Sequence, residues 1–247
     1  MIHFIEEIDS TSIELRRCID EGHLPHGYCI SADFQTAGHG QATNSWESEK
    51  GKNLLFSVLL RPNIIKASEL FVITEFITLA IVNTLQDEIR QEITIKWPND
   101  IYVGDCKLCG ILIENALCGA TIDTCVAGIG ININQDVFLS DAPNPISLKQ
   151  LTGRIHNREV ILEEIYKNIL SYYDYLVDND DLSIRNSLHH EYMNHLYRRS
   201  GYHKYAMPNG EVFEAEIYDI GPQGHLTLLL GTGEMRTFAF KEVIFVI

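Results

Sequence analysis

Residues 96–100 read Lys-Trp-Pro-Asn-Asp, and after Gly104-Asp105 the chain continues Lys107-Leu-Cys-Gly-Ile-Leu-Ile-Glu114. Ile93–Lys96 has the composition of a short strand, and Pro98 has no amide to extend a ladder, so Trp97-Pro98 ends it. Ile101–Val103 and Lys107–Asn115 then flank Gly104-Asp105 as the two arms of a hairpin. Asn99 and Asp100 stand at a strand end, and Lys107 opens a strand whose continuation, Ile111-Leu112-Ile113, demands burial. A lysine entering a core strand can neutralise a bound carboxylate or phosphoryl oxygen. Spacing alone favours a solvated edge lysine over that role.

Working outward, Thr121–Asn132 is a further strand that closes on Gly128-Ile-Gly130-Ile-Asn132-Ile-Asn134. Alternating glycines on a strand let a ligand or another backbone approach closely. Upstream, Ile2–Ile8, Tyr28–Asp33 and Asn53–Leu60 read as strands. Asp9-Ser10-Thr11 supplies capping oxygens for a helix ending near Gly22, and Ser68 caps an apolar helix reaching about Glu88. Downstream, a loop with Pro143 and Pro145 leads to helices over Arg158–Val177, capped by Asn157, and Ser183–Asn194. Helices mixed with antiparallel hairpins predict an α+β domain. After Arg199 the texture changes. Glu211–Tyr218, His225–Leu230, Met235–Phe240 and Val243–Ile247 are short alternating strands between Gly- and Pro-rich turns, the pattern of a small SH3-like β-barrel. The expected division is residues 1–197 and 198–247.

The chain has 247 residues, 45% of them hydrophobic, enough for a sizeable core. Its 19 Lys and Arg face 34 Asp and Glu, a formal charge of −15. The first 197 residues carry 14 bases against 28 acids and the last 50 carry 5 against 6, so the acidity belongs to the larger part. That balance argues against a protein held on nucleic acid by phosphate attraction. With no run long enough to span a bilayer and no basic leader at the N-terminus, the reading is soluble and cytoplasmic, without a membrane partner.

Several alternatives can be weighed on spacing. Cys106-x-x-Cys109, with Cys118 and Cys125, has the look of a zinc site, but residues i and i+3 of a strand face opposite ways, so buried thiols fit better. His190 and His195 miss the metalloprotease spacing by one residue. Ser31, Ser48 and Ser57 lack a nucleophile elbow. Gln35-Thr-Ala-Gly38-His39-Gly40-Gln41-Ala-Thr-Asn-Ser-Trp46 could close over an anion through its exposed amides, although it is neither a phosphate-binding P-loop nor a dinucleotide fingerprint.

Taken in order, these segments resemble the biotin protein ligases, which attach biotin to a lysine of a carboxyl-carrier domain. The matching stretches are Asp9-Ser10-Thr11, Gln35 to Gly40 with Trp46, Asn53–Ser57, KWPND at 96–100, KLCGILIE at 107–114 and GIGININ at 128–134. The β-rich end matches that family's small SH3-like domain, so the likeness runs over nearly the whole chain. The resemblance implies a class II aminoacyl-tRNA-synthetase-like catalytic domain, with a mixed sheet flanked by helices. It implies ATP and Mg²⁺, biotin as substrate, and a carboxyl-carrier protein as acceptor. Ser10, Thr11, Ser12 and Gln35 would meet the ureido ring, with Ser12 where the family commonly has Asn. Gly110 and Gly130 would let ring and valeryl chain pass close to the sheet. Lys107 would hold the carboxylate and α-phosphate, His39, Gly40 and Gln41 would flank both ligands, and Trp46 would stack on adenine. Asn99, Asp100 and Asn132 would orient the nucleotide and metal or the incoming lysine, with Mg²⁺ carried mainly on phosphates. Sheet-mediated dimers occur in the family, and these residues leave monomer and homodimer open. The chain also begins where that catalytic domain begins, so no DNA-binding domain and no repressor role are expected.

One departure stands out. The family loop usually reads GRGR, whereas residues 38–41 are Gly-His-Gly-Gln. Two permanently charged phosphate donors are replaced by a titratable imidazole and a neutral amide. Either His39 acts as imidazolium, and adenylate formation strengthens as pH falls, or the loop holds the adenylate loosely. The rival readings are a lipoate–protein ligase on the same fold and a biotin-binding pseudo-ligase.

Overall fold

Seven consecutive residues, Leu54–Leu60, are buried, and they run through the middle of the larger of two sheets. The computed structural model describes residues 1–40, 45–139, 144–179 and 181–247. The larger sheet comprises β1 (Ile2–Ile8), β2 (Cys29–Gln35), β3 (Leu54–Leu60), β4 (Ile93–Lys96), β5 (Asp100–Val103), β6 (Cys106–Cys118) and β7 (Thr121–Ile131). Their spatial order is β1-β2-β3-β7-β6-β5-β4. The β1–β2 pair is parallel, and every other neighbouring pair is antiparallel.

Strand alternation decides what each face carries. On one face Phe56, Val58 and Leu60 enter the main core beneath helix α2 (Phe71–Gln86). Fourteen of the 16 residues of α2 are buried, although eight are β-branched and poor helix formers. Each large apolar side chain buried there contributes roughly 1.5–3 kcal/mol, against a propensity cost of at most about 0.7 kcal/mol per residue, so packing wins. Two buried threonines satisfy their hydroxyls locally: Thr78 and Thr84 donate back to the carbonyls of Thr74 and Ala80, both at 2.8 Å. On the opposite face Leu59 packs with Leu15, Ile30 and Val126 under helix α1 (Thr11–Glu21). Eleven residues span only about 16 Å, so α1 covers β2, β3 and β7 and leaves the adjoining floor of the sheet, Leu55, Gly110 and Gly130, bare of helix.

The helices differ from the sequence reading in instructive ways. Ser10 occupies the cap position of α1, yet its side chain makes no capping bond. Gln35 Oε1, on β2, accepts the Thr11 amide at 2.7 Å instead, and Asp9 Oδ1 accepts the Ser10 amide at 2.7 Å. Ser68 lies within a 3-10 turn over Ala67–Glu69 rather than capping α2, whose first amide, Phe71 N–H, donates to the Pro222 carbonyl at 3.1 Å. Tertiary partners thus replace the local caps. A five-residue helix, α3 (Leu148–Thr152), was too short to show a period and carries its own capping box between Ser147 and Gln150. Helices α4 (Arg158–Asp178) and α5 (Leu182–Asn194) lie where the apolar spacing puts them, with Asn157 accepting the amides of Glu159 and Val160.

The C-terminal sheet contains β8 (His203–Ala206), β9 (Val212–Ile220), β10 (Leu226–Leu230), β11 (Met235–Phe238) and β12 (Ile244–Phe245), in the order β11-β10-β9-β8-β12. The sequence reading missed β8 and expected a barrel. Among the described residues the sheet is antiparallel and open. Strand β12 has only two residues, and the segment before it leaves the sheet instead of pairing with β11. Trp97 Nε1 ties the larger sheet to the β9–β10 turn by donating to the Gly224 carbonyl at 2.9 Å, and Leu196, ahead of β8, forms a bridge with Ile95 on β4. No helix among the described residues is long and apolar enough to cross a membrane.

Candidate active site

The bare floor beside α1 is the base of a cleft of about 470 Å³, closed on one side by the C-terminal sheet. At the end nearest α1, Thr11 Oγ1 donates to Gln35 Oε1 at 3.0 Å and lies 2.8 Å from Ser57 Oγ, which lies 2.9 Å from Ser12 Oγ. Thr11, Ser12 and Ser57 are all buried, as is Ser10 beside them. Such a network persists because each buried hydroxyl has a partner. Ser57 pairs in register with Gly128, where a Cβ would come 2.3 Å from Ser12 Oγ, so only glycine fits. Sequence reasoning dismissed Ser57 as a nucleophile and missed this role. The signal was a lone serine inside the apolar run Leu54–Leu60.

In the middle of the cleft, Gly110 pairs with Gly130, which in turn pairs with Leu55. The expectation was that these glycines receive a ligand. The structure lays the indole of Trp46 across them: a Cβ on Gly130 would sit 2.5 Å from Trp46 Cε2, and one on Gly110 would sit 2.7 Å from Cζ3. Trp46 Nε1 is buried there without a hydrogen-bond partner among the described residues. His39 and Gly40 line the same cleft, whereas Gln41 lies outside the described residues.

The far end is charged. Lys107 Nζ and Asp100 Oδ2 are 2.7 Å apart, and the ammonium is 5.8 Å from the Trp46 ring. Lys107 is on an interior strand, not an edge, between β5 and β7. Its backbone is clamped: its N–H donates to the Asn144 carbonyl at 2.7 Å and its carbonyl accepts from Ile146 N–H at 3.0 Å. The tight β4–β5 hairpin pairs Asp100 with Lys96, which brings a second lysine to the cleft. Lys96 Nζ reaches the Tyr102 hydroxyl at 3.3 Å and lies over the rings of Tyr102 and Phe245, and burial lowers its pKa. Asn99 also lines the cleft, but its Nδ2 is spent on the Ile111 carbonyl at 2.9 Å. Asn132 is not among the lining residues. It sits behind Lys107, with Nδ2 3.5 Å from that residue's carbonyl and Oδ1 without a partner among the described residues. Phe240, Lys241 and Phe245 complete the wall from the C-terminal part. The sequence reading gave no role in the site to them or to Lys96, which it quoted only within the 96–100 motif, because their proximity depends on how the two sheets dock.

A neutral hydrogen-bonding end, a floor without side chains and a cationic end suit a flat ligand with an anionic tail. The bifunctional ligase/repressor BirA of Bacillus subtilis is 32% identical over 148 residues, covering 58% of this chain and 45% of that protein. The BirA of Escherichia coli is 35% identical over 127 residues, 51% of this chain and 38% of the relative. The chain thus spans about half the length, or less, of these curated relatives. Among solved structures, the biotin protein ligase from Aquifex aeolicus in complex with biotin and ATP has a similar fold, with a TM-score of 0.79 at 23% identity over 98% of this chain and 97% of the other. A biotin protein ligase from Leishmania major in complex with biotinyl-5-AMP gives a TM-score of 0.66 at 21% identity, covering 96% and 98%. A sequence profile matches residues 4–132, the stretch that holds Thr11, Gln35, Trp46, Asp100, Lys107 and the glycine floor, and by that match the chain belongs to the biotin/lipoate A/B protein ligase family.

Proposed function

We propose that this chain is an ATP-dependent biotin–protein ligase, which forms biotinyl-5'-AMP and passes the biotinyl group to a lysine of a biotin carboxyl-carrier protein. One observation carries the reading: the hydroxyl-and-amide pocket, the two-glycine floor and the Lys107–Asp100 pair follow one another along a single cleft. Relatives named as ligases that act on biotin support it, among them a biotin–[acetyl-CoA-carboxylase] ligase of Paracoccus denitrificans, 28% identical over 54% of this chain and 58% of that enzyme.

In the first step a carboxylate oxygen of biotin attacks the α-phosphorus of ATP. The bond from that phosphorus to the bridging oxygen breaks, and pyrophosphate leaves. In the second, the amine of the carrier lysine attacks the acyl carbon, AMP departs with the electron pair of the C–O bond, and the amine's proton is released as the amide forms. Lys107 donates to the carboxylate and α-phosphate oxygens, where charge builds up during attack. Asp100 orients that ammonium. Ser10, Thr11, Ser12 and Gln35 turn donors and acceptors toward the ureido ring, with Gly110 and Gly130 beneath the ring and valeryl chain. Trp46 leaves the glycine floor to biotin and stacks on adenine. His39, Gly40 and Gln41 close over the junction of the two ligands, and Asn99 and Asn132 brace the strands from which Asp100 and Lys107 project. Among the described residues no group of three or more His, Cys, Asp or Glu side chains could hold a metal ion. Mg²⁺ is therefore assigned to the nucleotide's phosphates, with Asp100 as the cleft's own carboxylate.

Lipoate offers no ureido group to satisfy a pocket of hydroxyls, which favours biotin. Residues 1–197 are taken as the catalytic domain and 198–247 as the appended one, a division supported by the start of β8 at His203. The test is intact-mass analysis of a carboxyl-carrier domain incubated with the protein, MgATP and biotin, with lipoate in a parallel tube. A single biotinyl increment in the first tube alone is expected. Modification by lipoate alone, or biotin binding without transfer, would replace this reading by the lipoate or pseudo-ligase one.

A further inference from the structure

Among the described residues that line the cleft, the lysines are Lys96, Lys107 and Lys241, and Asp100 is the one carboxylate. Asp100 is engaged by Lys107. Lys96 hydrogen-bonds the Tyr102 hydroxyl and feels Asp100 only through space, and Lys241 has no hydrogen bond or ion pair among the described residues. The Lys241 ammonium lies 5.9 Å from the ring of Phe240, which packs against Trp97 at 5.8 Å between centroids and so pins this segment to the strand end that carries Asn99 and Asp100. Like charges gathered at one cleft repel unless an anion joins them.

The backbone adds a second observation. Lys241 has φ +71°, a left-handed conformation that glycine adopts freely and lysine does not. It stands on the segment that departs from β11 after Phe238 and crosses to the cleft instead of continuing the sheet. The fold thus tolerates a strained lysine at the mouth of an adenylating site whose loop, over the described residues 35–40 and 45–52, contributes no permanent cation to the cleft wall. An ATP triphosphate carries more negative charge than one lysine, already paired with aspartate, can balance, and the surrounding part of the chain is itself strongly acidic.

We infer that Lys241, with Lys96, binds the β- and γ-phosphates of ATP, so that the segment between β11 and β12 supplies a cation that holds the departing pyrophosphate. This rests on the adenylating reading of the cleft and goes further, because it gives the C-terminal part a direct role in nucleotide binding and assigns the charge missing from the Gly38-His39-Gly40-Gln41 loop.

The experiment is calorimetric titration of the full chain with MgATP and, separately, with AMP, using wild type, Lys241→Ala, Lys241→Arg and Lys241→Gly. Loss of a charge-assisted phosphate contact should weaken ATP binding about tenfold in Lys241→Ala. AMP affinity should stay unchanged, and Lys241→Arg should retain ATP binding. Lys241→Gly separates structure from binding: it relieves the backbone, so its melting temperature should rise while its ATP affinity falls as in the alanine variant. Equal losses for ATP and AMP, no loss for ATP, or a wild type that binds ATP no better than AMP would overturn the inference. No biotin transfer is needed for this measurement, so a failed carrier assay leaves it decisive. Conversely, a chain that biotinylates its carrier with an unchanged KM for ATP in Lys241→Ala keeps the ligase reading and loses this one.

Discussion

At one end of the cleft Thr11, Ser12, Gln35 and Ser57 bond to one another within two strands and the first turn of a helix, while at the other Lys96 and Lys241 face an acidic protein with no carboxylate of their own. The first end is finished before any ligand arrives. Its net hydrogen bonds are worth only about 1 kcal/mol each, so its value lies in holding donors and acceptors still. The second is assembled from residues 96–100, 107 and 240–245, and its balance of charge is completed by what binds there. The contrast implies that changes at the two ends differ in kind: the neutral end should govern which ligand sits down, and the cationic end how fast the chemistry runs.

The largest expected effect belongs to Lys107. Lys107→Ala should lower the rate of biotin-dependent ATP–pyrophosphate exchange by about 10²–10³-fold, the usual cost of removing one donor to a developing negative charge. Affinity for biotin should change far less, because the carboxylate is one contact among many. A variant that keeps its exchange rate and loses only biotin affinity would break the comparison, since Lys107 would then act as a ground-state clamp.

At the neutral end the effects should be smaller and confined to binding. Ser57→Ala removes the partner shared by the Thr11 and Ser12 hydroxyls, at about 1–3 kcal/mol in stability, and should weaken biotin several-fold with KM for ATP unchanged. Gly128→Ala tests the same network sterically, because its methyl would displace Ser12 Oγ from 2.3 Å. The pair sharpens the argument if both raise KM for biotin alone, and refutes it if either slows exchange at saturating biotin.

The two ends also differ in how far they could be read in advance. Thr11, Gln35, Gly110, Gly130, Asp100 and Lys107 fall at strand ends, at a helix start or on a two-residue period, positions that local rules can locate, while their roles in the site came from the family resemblance. Strand β4 and the helix from Arg158 were legible for the same reason. Ser57 was visible but misassigned, because a serine in an apolar strand shows burial and not its partner. Trp46 on the glycine floor, Lys96 beside Phe245 and Lys241 at the mouth depend on the docking of segments up to 200 residues apart, which no local period encodes. The open C-terminal sheet was missed for a related reason: alternation predicts strands, whereas closure depends on whether the last one is long enough to pair.

The smallest effect concerns how the two sheets stay together. His189 on α5 places Nδ1 2.6 Å from buried Glu75 on α2 and Nε2 3.1 Å from Asp219 on β9. The hydrogen bond to Glu75, opposed by burial and reinforced by the charges of Glu75 and Asp219, raises its pKa from the usual 6.5 to about 9. A folded-state pKa above the unfolded one stabilises the fold fully below about pH 6.5, and that contribution is lost as pH rises through about 9. The melting temperature of wild type should therefore exceed that of His189→Gln by a few degrees at pH 6, and the two should converge at pH 10. If this tether only holds the C-terminal sheet in place, the ratio of ATP to AMP affinity at pH 7 should be the same in both proteins. A ratio that falls in His189→Gln would mean that the cationic end depends on the docking angle of that sheet, whereas the neutral end, built on β2, β3 and α1 alone, should bind biotin equally well in either case.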